Sequence, residues 1–322
     1  MNTTLPAASP PPGDQPASDA AKAAAVALTV SIASTADGTP QKALFYAPPE
    51  ADQPAPLLVA LHTWGYGYEQ CMEYWPHARE RGWAMIAPNF RGRNERPEAC
   101  ASALAIQDVL DAVAYVRRAA NIDAARIYVT GMSGGGHMGL MLAASAPQLW
   151  AGVSSWVPIA DLAAWHAENV ASKRTYWILL DKCCGGPPSA ATLAEYRARS
   201  PLFHLAAAQG LPIDLNAGIH DGHTGSVPIS HTLRAFNVLA AANGLPEKRL
   251  SDDEIALMVS QEKVPATLAA EGETDAARRM AVLFRRAAGP VQVTIFEGSH
   301  EHEIPAALDW LAQQKRAVPA DS

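Results

Sequence analysis

Short runs of aliphatic and β-branched residues alternate along this chain with longer stretches whose apolar positions recur every three or four residues. AVALTVSI (25–32) and KALFYAP (42–48) read as two leading strands. PLLVALH (56–62) and WAMIAP (83–88) are continuously apolar, as in strands covered on both faces of a sheet. Between them, residues 69–81 read as helical. Residues 101–119 place Ile106, Val109, Leu110, Val113 and Val116 on one helical face. RIYVTG (126–131) runs directly into 133–146, a helical stretch apolar on most sides. AGVSSWVP (151–158), PIDLNAG (212–218) and VQVTIFEG (291–298) complete the predicted strands, and helices over 229–242 and 304–314 follow the last two.

This rhythm predicts an α/β fold, a mostly parallel central sheet with helices on both faces. Two stretches, 161–208 and 247–289, are too long for simple connections and are expected to be helical insertions. Ligands in such sheets bind beyond the carboxyl ends of the strands, where these insertions leave or return. Residues 1–22, rich in Pro, Ser and Ala, read as a disordered lead-in to a single domain over 23–318.

Composition narrows the partners more than the fold. Hydrophobic residues make up 49% and charged residues 18%, which excludes a wholly disordered chain or a coiled coil. The net charge of -7 offers no broad footprint for nucleic acid. No run approaches the roughly 18 uninterrupted apolar residues of a membrane span. The first residues lack the basic start and compact apolar run of a signal peptide, so the cytoplasm is the default expectation. Four cysteines are too few for a disulfide scaffold, and none form C-x-x-C. Cys71 and Cys100 are the pair open to bridging, while adjacent Cys183 and Cys184 read as packed thiols.

The most informative segment is Gly131-Met132-Ser133-Gly134-Gly135-Gly136, between a strand and a helix. A G-x-S-x-G in that setting forms a sharp turn that lifts the serine hydroxyl above the sheet. A serine needs a base and the base an orienter, in chain order Ser, acid, His. Asp221 follows the strand at 212–218, and His300 follows the strand at 291–298. Asp214 is the rival acid, but it lies mid-strand; His302 is the rival base, at the entry to the last helix. The loop His62-Thr63-Trp64-Gly65-Tyr66-Gly67-Tyr68 should supply a second oxyanion donor, Thr63 or Trp64, beside Gly134. Tyr66, Tyr68, Trp156 and His220 are candidates for substrate contact. The His-rich segments around His220 and His300 invite a metal site, but neither matches H-E-x-x-H.

These residues resemble the α/β-hydrolase superfamily, in its branch of prolyl-oligopeptidase-like hydrolases and carbohydrate or polyester esterases. The resemblance runs from about Pro40 to the last helix. It rests on LHTWG (61–65), NFRG (89–92), Gln107-Asp108, GMSGGG (131–136), SPL (200–202), Ser226-Val227-Pro228 and EGSHE (297–301). It implies Ser–His–Asp acyl transfer without metal or organic cofactor. Relatives place the acid shortly before a Val-Pro, whereas HDGHTGSVP puts a longer run after Asp221. A carboxylic ester is the expected substrate, small or carried on an acetylated or feruloylated sugar. Related peptidases usually carry an N-terminal β-propeller, and only a short stretch precedes the hydrolase-like part here. A serine peptidase or aminoacyl-amide hydrolase is the alternative, and it would need an acidic anchor in 161–208 for the substrate's amino terminus.

Overall fold

The computed structural model describes residues 26–49, 53–268, 275 and 278–317. The lead-in expected over 1–22 lies outside the described residues. Nine strands form one sheet: β1 (Leu28–Ala33), β2 (Pro40–Tyr46), β3 (Ala55–Leu61), β4 (Ala84–Pro88), β5 (Ile122–Met132), β6 (Gly152–Trp156), β7 (Ile213–Gly218), β8 (Val282–Ala288) and β9 (Val291–Phe296), in spatial order β1-β2-β4-β3-β5-β6-β7-β9-β8. The block from β4 to β9 is parallel throughout. β2 runs antiparallel to both its neighbours, and β8 antiparallel to β9.

The helices are α1 (Trp75–Glu80), α2 (Ala103–Ala119), α3 (Gly134–Ser145), α4 (Leu162–Ala171), α5 (Tyr176–Cys184), α6 (Leu193–Ala198), α7 (Ser230–Ala242), α8 (Asp252–Gln261) and α9 (Ile304–Ala312). Strand alternation splits the core between the two faces. Leu57, Val59 and Leu61 of β3 pack with Val109 and Val113 of α2, Leu142 of α3 and Phe236 of α7. Leu58 and Ala60 point the other way, toward Ala78 of α1 and Leu308 and Leu311 of α9. Covered on both sides, β3 is buried at every position, which accounts for its unbroken apolar run. This is the α/β-hydrolase architecture.

Two expectations need correction. The stretch 247–289 holds α8 but closes with β8, an edge strand rather than a helix. An edge strand is paired on one side only and tolerates charge, so Arg285 and Arg286 hide it from an apolar-run reading. Residues 69–81 are a 3₁₀ segment (Tyr68–Tyr74) followed by α1, whose first turn holds Pro76 and so starts a new helix rather than continuing the old one. All four thiols are free and buried; Cys71 packs with the α1 and α9 layer, while Cys100 packs with Cys183 and Cys184 in another cluster.

One polar node ties the front of the sheet together. Arg91, in the loop after β4, grips Asp108 of α2 through Nε (2.6 Å) and Nη2 (3.0 Å). The same guanidinium donates to Asp37 at 2.7 and 3.1 Å and to Ser34 Oγ at 3.1 Å. It holds the exposed Asp37 carboxyl well below the usual carboxylate range. Arg91 and Asp108 are buried, so removing the Asp108 charge leaves a buried guanidinium balanced only by Asp37 at the surface. Asp108→Asn is therefore expected to cost about 3 kcal/mol or more of unfolding free energy, read as a lower urea midpoint. An unchanged midpoint would contradict this account of the node.

Candidate active site

Ser133 occupies the turn from β5 into α3 at φ 58° and ψ −115°, a backbone region that costs an L residue free energy unless its surroundings impose it. They do: Ser133 N–H donates to Trp156 O (2.8 Å), and His137 N–H donates to Ser133 O (2.8 Å). A Cβ on Gly134 would lie 2.5 Å from Trp64 N and 2.7 Å from Trp64 Cα, so only glycine lets the loop after β3 pack against the helix start. That contact sets the backbone amides of Trp64 and Gly134 close together. Among the described residues neither N–H has a protein acceptor. Both therefore remain available to an oxyanion at the positive end of α3. Thr63 is not available in this way, because its N–H and hydroxyl both donate to Gln70 Oε1 (2.9 and 3.0 Å).

Asp221 and His300 meet beyond the carboxyl ends of β7 and β9. His300 Nδ1 donates to Asp221 Oδ2 at 2.7 Å. The other carboxylate oxygen accepts from Gly222 N–H (2.9 Å) and Val227 N–H (3.0 Å). The long loop HDGHTGSVP thus folds back on its own acid. Gly225 lies so close that a Cβ there would overlap Asp221 Oδ1 and sit 2.7 Å from His300 Cβ. Asp221 is buried and His300 is 19% exposed, leaving Nε2 as the ring nitrogen not held by the acid. Among the described residues no hydrogen bond joins Ser133 Oγ to His300; such contacts are often long before substrate binds.

The rival residues have other occupations. Asp214 is fully buried and accepts from Ser154 Oγ (2.8 Å), Asn216 Nδ2 (2.7 Å) and Gln292 Nε2 (2.8 Å). His302 is half-buried against Trp156, with ring centroids 5.0 Å apart, and Nδ1 pairs with Tyr74 OH at 3.2 Å. Burial pushes its imidazole down to about 3, so the ring is neutral.

Of the residues proposed for substrate contact, Tyr66 is 62% exposed beside the oxyanion loop. Tyr68 and Trp156 are core instead. Tyr68 joins the α1 and α9 layer, and Trp156 turns to the same sheet face as Ser154, under Arg278 and against Phe296. His220 is likewise not free for a substrate, since Nδ1 pairs with Glu262 (2.7 Å) and Nε2 with Glu297 (2.7 Å). Among the described residues no three His, Cys, Asp or Glu side chains converge to hold a metal. The sequence carries no signal for Gln70 or Gly225: Gln70 reads as one polar position of a helix, and Gly225 as one loop glycine among several.

The prolyl oligopeptidase family profile matches residues 72–254, more than half of the chain. No curated protein sequence matches. Solved structures share the fold at low identity. The Pyrococcus horikoshii acylaminoacyl peptidase has a TM-score of 0.59 at 16% identity, over 92% of this chain and 43% of its own. A Mycobacterium tuberculosis puromycin-hydrolyzing peptidase has a TM-score of 0.55 at 18% identity, over 89% of this chain and 38% of its own. A thermostable esterase has a TM-score of 0.50 at 16% identity, over 90% of this chain and 63% of its own. This chain thus spans less than half the length of either peptidase. With the strained serine turn of GMSGGG lying inside the matched segment, the chain belongs to the prolyl oligopeptidase family.

Proposed function

We propose that this protein is a serine hydrolase that works through an acyl-enzyme, with carboxylic esters as its substrates. The observation that carries the reading is the strained Ser133 turn at the same sheet edge as the Asp221–His300 pair and the two unpartnered amides. Ser133 Oγ attacks the carbonyl carbon while His300 Nε2 takes its proton. Asp221 fixes the ring through Nδ1 and stabilises the imidazolium. The amides of Trp64 and Gly134 hold the tetrahedral oxyanion, a contribution worth roughly 10²–10³ in rate per donor. His300 then protonates the leaving alcohol, and water repeats the sequence on the acyl-enzyme.

The choice of ester over amide rests on the four carboxylates of the 161–208 insertion. A peptidase needs one of them for the substrate's amino terminus, yet each has a partner. Asp161 caps α4 by accepting from Ala163 and Ala164 N–H (3.0 and 3.1 Å). Glu168 pairs with His231 at 2.9 Å, Asp181 with His166 at 3.0 Å, and Glu195 with Arg199. This favours a small acyl ester, such as an acetylated or feruloylated sugar. The amide-cleaving alternative draws support from the family and from the two peptidases of similar fold.

Three outcomes test these assignments. Ser133→Ala should lose roughly 10⁴-fold or more of the turnover of p-nitrophenyl acetate while staying folded, and it should no longer react with a fluorophosphonate. Retained turnover would remove Ser133 from the mechanism. Asp221→Asn should slow turnover by roughly 10⁴-fold, whereas Asp214→Asn should lower stability and leave the rate per folded molecule near the wild type. The reverse ranking would make Asp214 the orienter. Initial rates should be high on p-nitrophenyl acetate and low on aminoacyl p-nitroanilides; strong anilide turnover would move the protein to the amide-cleaving side.

A further inference from the structure

We propose that His220, held as an imidazolium between Glu262 and Glu297, is a positioning residue that sets the Asp221–His300 pair for turnover. The inference rests on the hydrolase reading above. A neutral imidazole has one N–H to give, yet both ring nitrogens of His220 face carboxylate oxygens at 2.7 Å. Only the doubly protonated ring donates to both. Losing the proton would turn one nitrogen lone pair toward a carboxylate and break that half of the bridge.

The bridge spans the parts of the chain that must hold still. His220 directly precedes Asp221, and its backbone N–H donates to Gly298 O (3.0 Å), two residues before His300. Glu297 follows β9, and Glu262 caps α8, so one ring joins the acid loop, the base loop and the 247–289 insertion. The surrounding charges are few. His223 of the acid loop lies with Nδ1 3.7 Å from Glu262 Oε1, and its Nε2 donates to Val259 O (2.6 Å). Glu301 sits beside Gly298 on the base loop. Arg174, from the other insertion, donates to Gly222 O (3.3 Å) and His223 O (2.9 Å). Asp221 is already engaged by His300.

Hydrogen bonds to Glu262 and then Glu297 raise His220 above its ordinary value of about 6.5. The bridge is therefore complete below that value and is lost as pH rises through the raised one. Turnover should fall on the alkaline side as the bridge is lost, and that limb reports His220.

The test is the pH profile of kcat and KM on p-nitrophenyl acetate for wild type, His220→Gln and Glu297→Gln. A carboxamide reaches only one carboxylate, so His220→Gln should lower kcat by roughly 10–100-fold, as a small misplacement of the reacting groups does. KM should be unchanged, and the alkaline limb should disappear. Glu297→Gln, at a half-exposed position that should not endanger folding, should move that limb toward lower pH. An alkaline limb that persists in His220→Gln would overturn the proposal, whether or not kcat falls. Fluorophosphonate labelling separates the two levels. Labelled wild type with unlabelled Ser133→Ala, alongside an unmoved limb, defeats the His220 role alone. Unlabelled wild type defeats the hydrolase reading and this inference with it.

Discussion

Everything at this site depends on a contact between backbones. The start of α3 packs so tightly on the end of β3 that Cβ atoms at Gly134 and Gly135 would meet Trp64 N and Leu61 O. The contact does two things together. It forces Ser133 into a conformation that costs about 1–3 kcal/mol, and it sets the amide of residue 64 beside that of residue 134. The strain is sustained by burial, since α3 is buried from Gly134 through Ala143, next to the parallel strands β5 and β6. A turn that could relax would gain free energy locally but would have to unpack the centre of the sheet. The nucleophile's geometry is thus secured by the core rather than by the site.

The acid and base have no comparable support from the sheet, because both lie in loops. Hydrogen bonds from several directions hold them instead. Asp221 accepts from Gly222 and Val227 N–H, while Thr224 Oγ1 donates to Ser299 Oγ at 2.7 Å. Trp165 Nε1 donates to Ser226 O at 2.8 Å, and Arg174 adds two carbonyl contacts. The extra length of HDGHTGSVP makes these attachments possible. A shorter turn would bring Val227 back to the acid without exposing carbonyls of residues 222, 223 and 226 to the insertion. The elaborated loop is the point at which both insertions are fastened to the chemistry.

The same physics explains what the sequence made legible. Parallel strands covered on both faces favour continuous apolar runs, so β3 and β4 announce themselves. Ser133, Asp221 and His300 each stand just past the carboxyl end of a parallel strand, where ligands bind in such sheets. What stayed hidden depends on which way a side chain turns. Tyr68, Tyr66 and Trp156 are all aromatic residues near strand ends, yet only Tyr66 is exposed. Trp156 shares its sheet face with Ser154, and one step along β6 would have reversed it. β8 carries charges that an edge strand permits, and Gln70 acts across seven residues on Thr63, a pairing that no periodicity encodes.

The 161–208 insertion packs directly against the loop that carries the Trp64 amide and against the acid loop. Trp165 stacks edge-on against Trp64, with centroids 4.8 Å apart, and its indole N–H holds the acid loop at Ser226. Trp64 is 2% exposed and also leans on His137 of α3, at 5.8 Å between ring centroids. The side chain of the residue whose amide is proposed for the oxyanion is therefore the surface on which the insertion docks. Tyr196, Leu180, Cys100, Cys183 and Val227 complete that cluster, joining α5, α6, the loop before α2 and the acid loop. Such a cluster transmits displacement, because a close-packed interior has no slack to absorb it. Any change of packing in α4 or α5 reaches the oxyanion amide and the acid loop through one indole ring. The packing of the insertion and the position of the proposed oxyanion amide are consequently set by the same buried side chains.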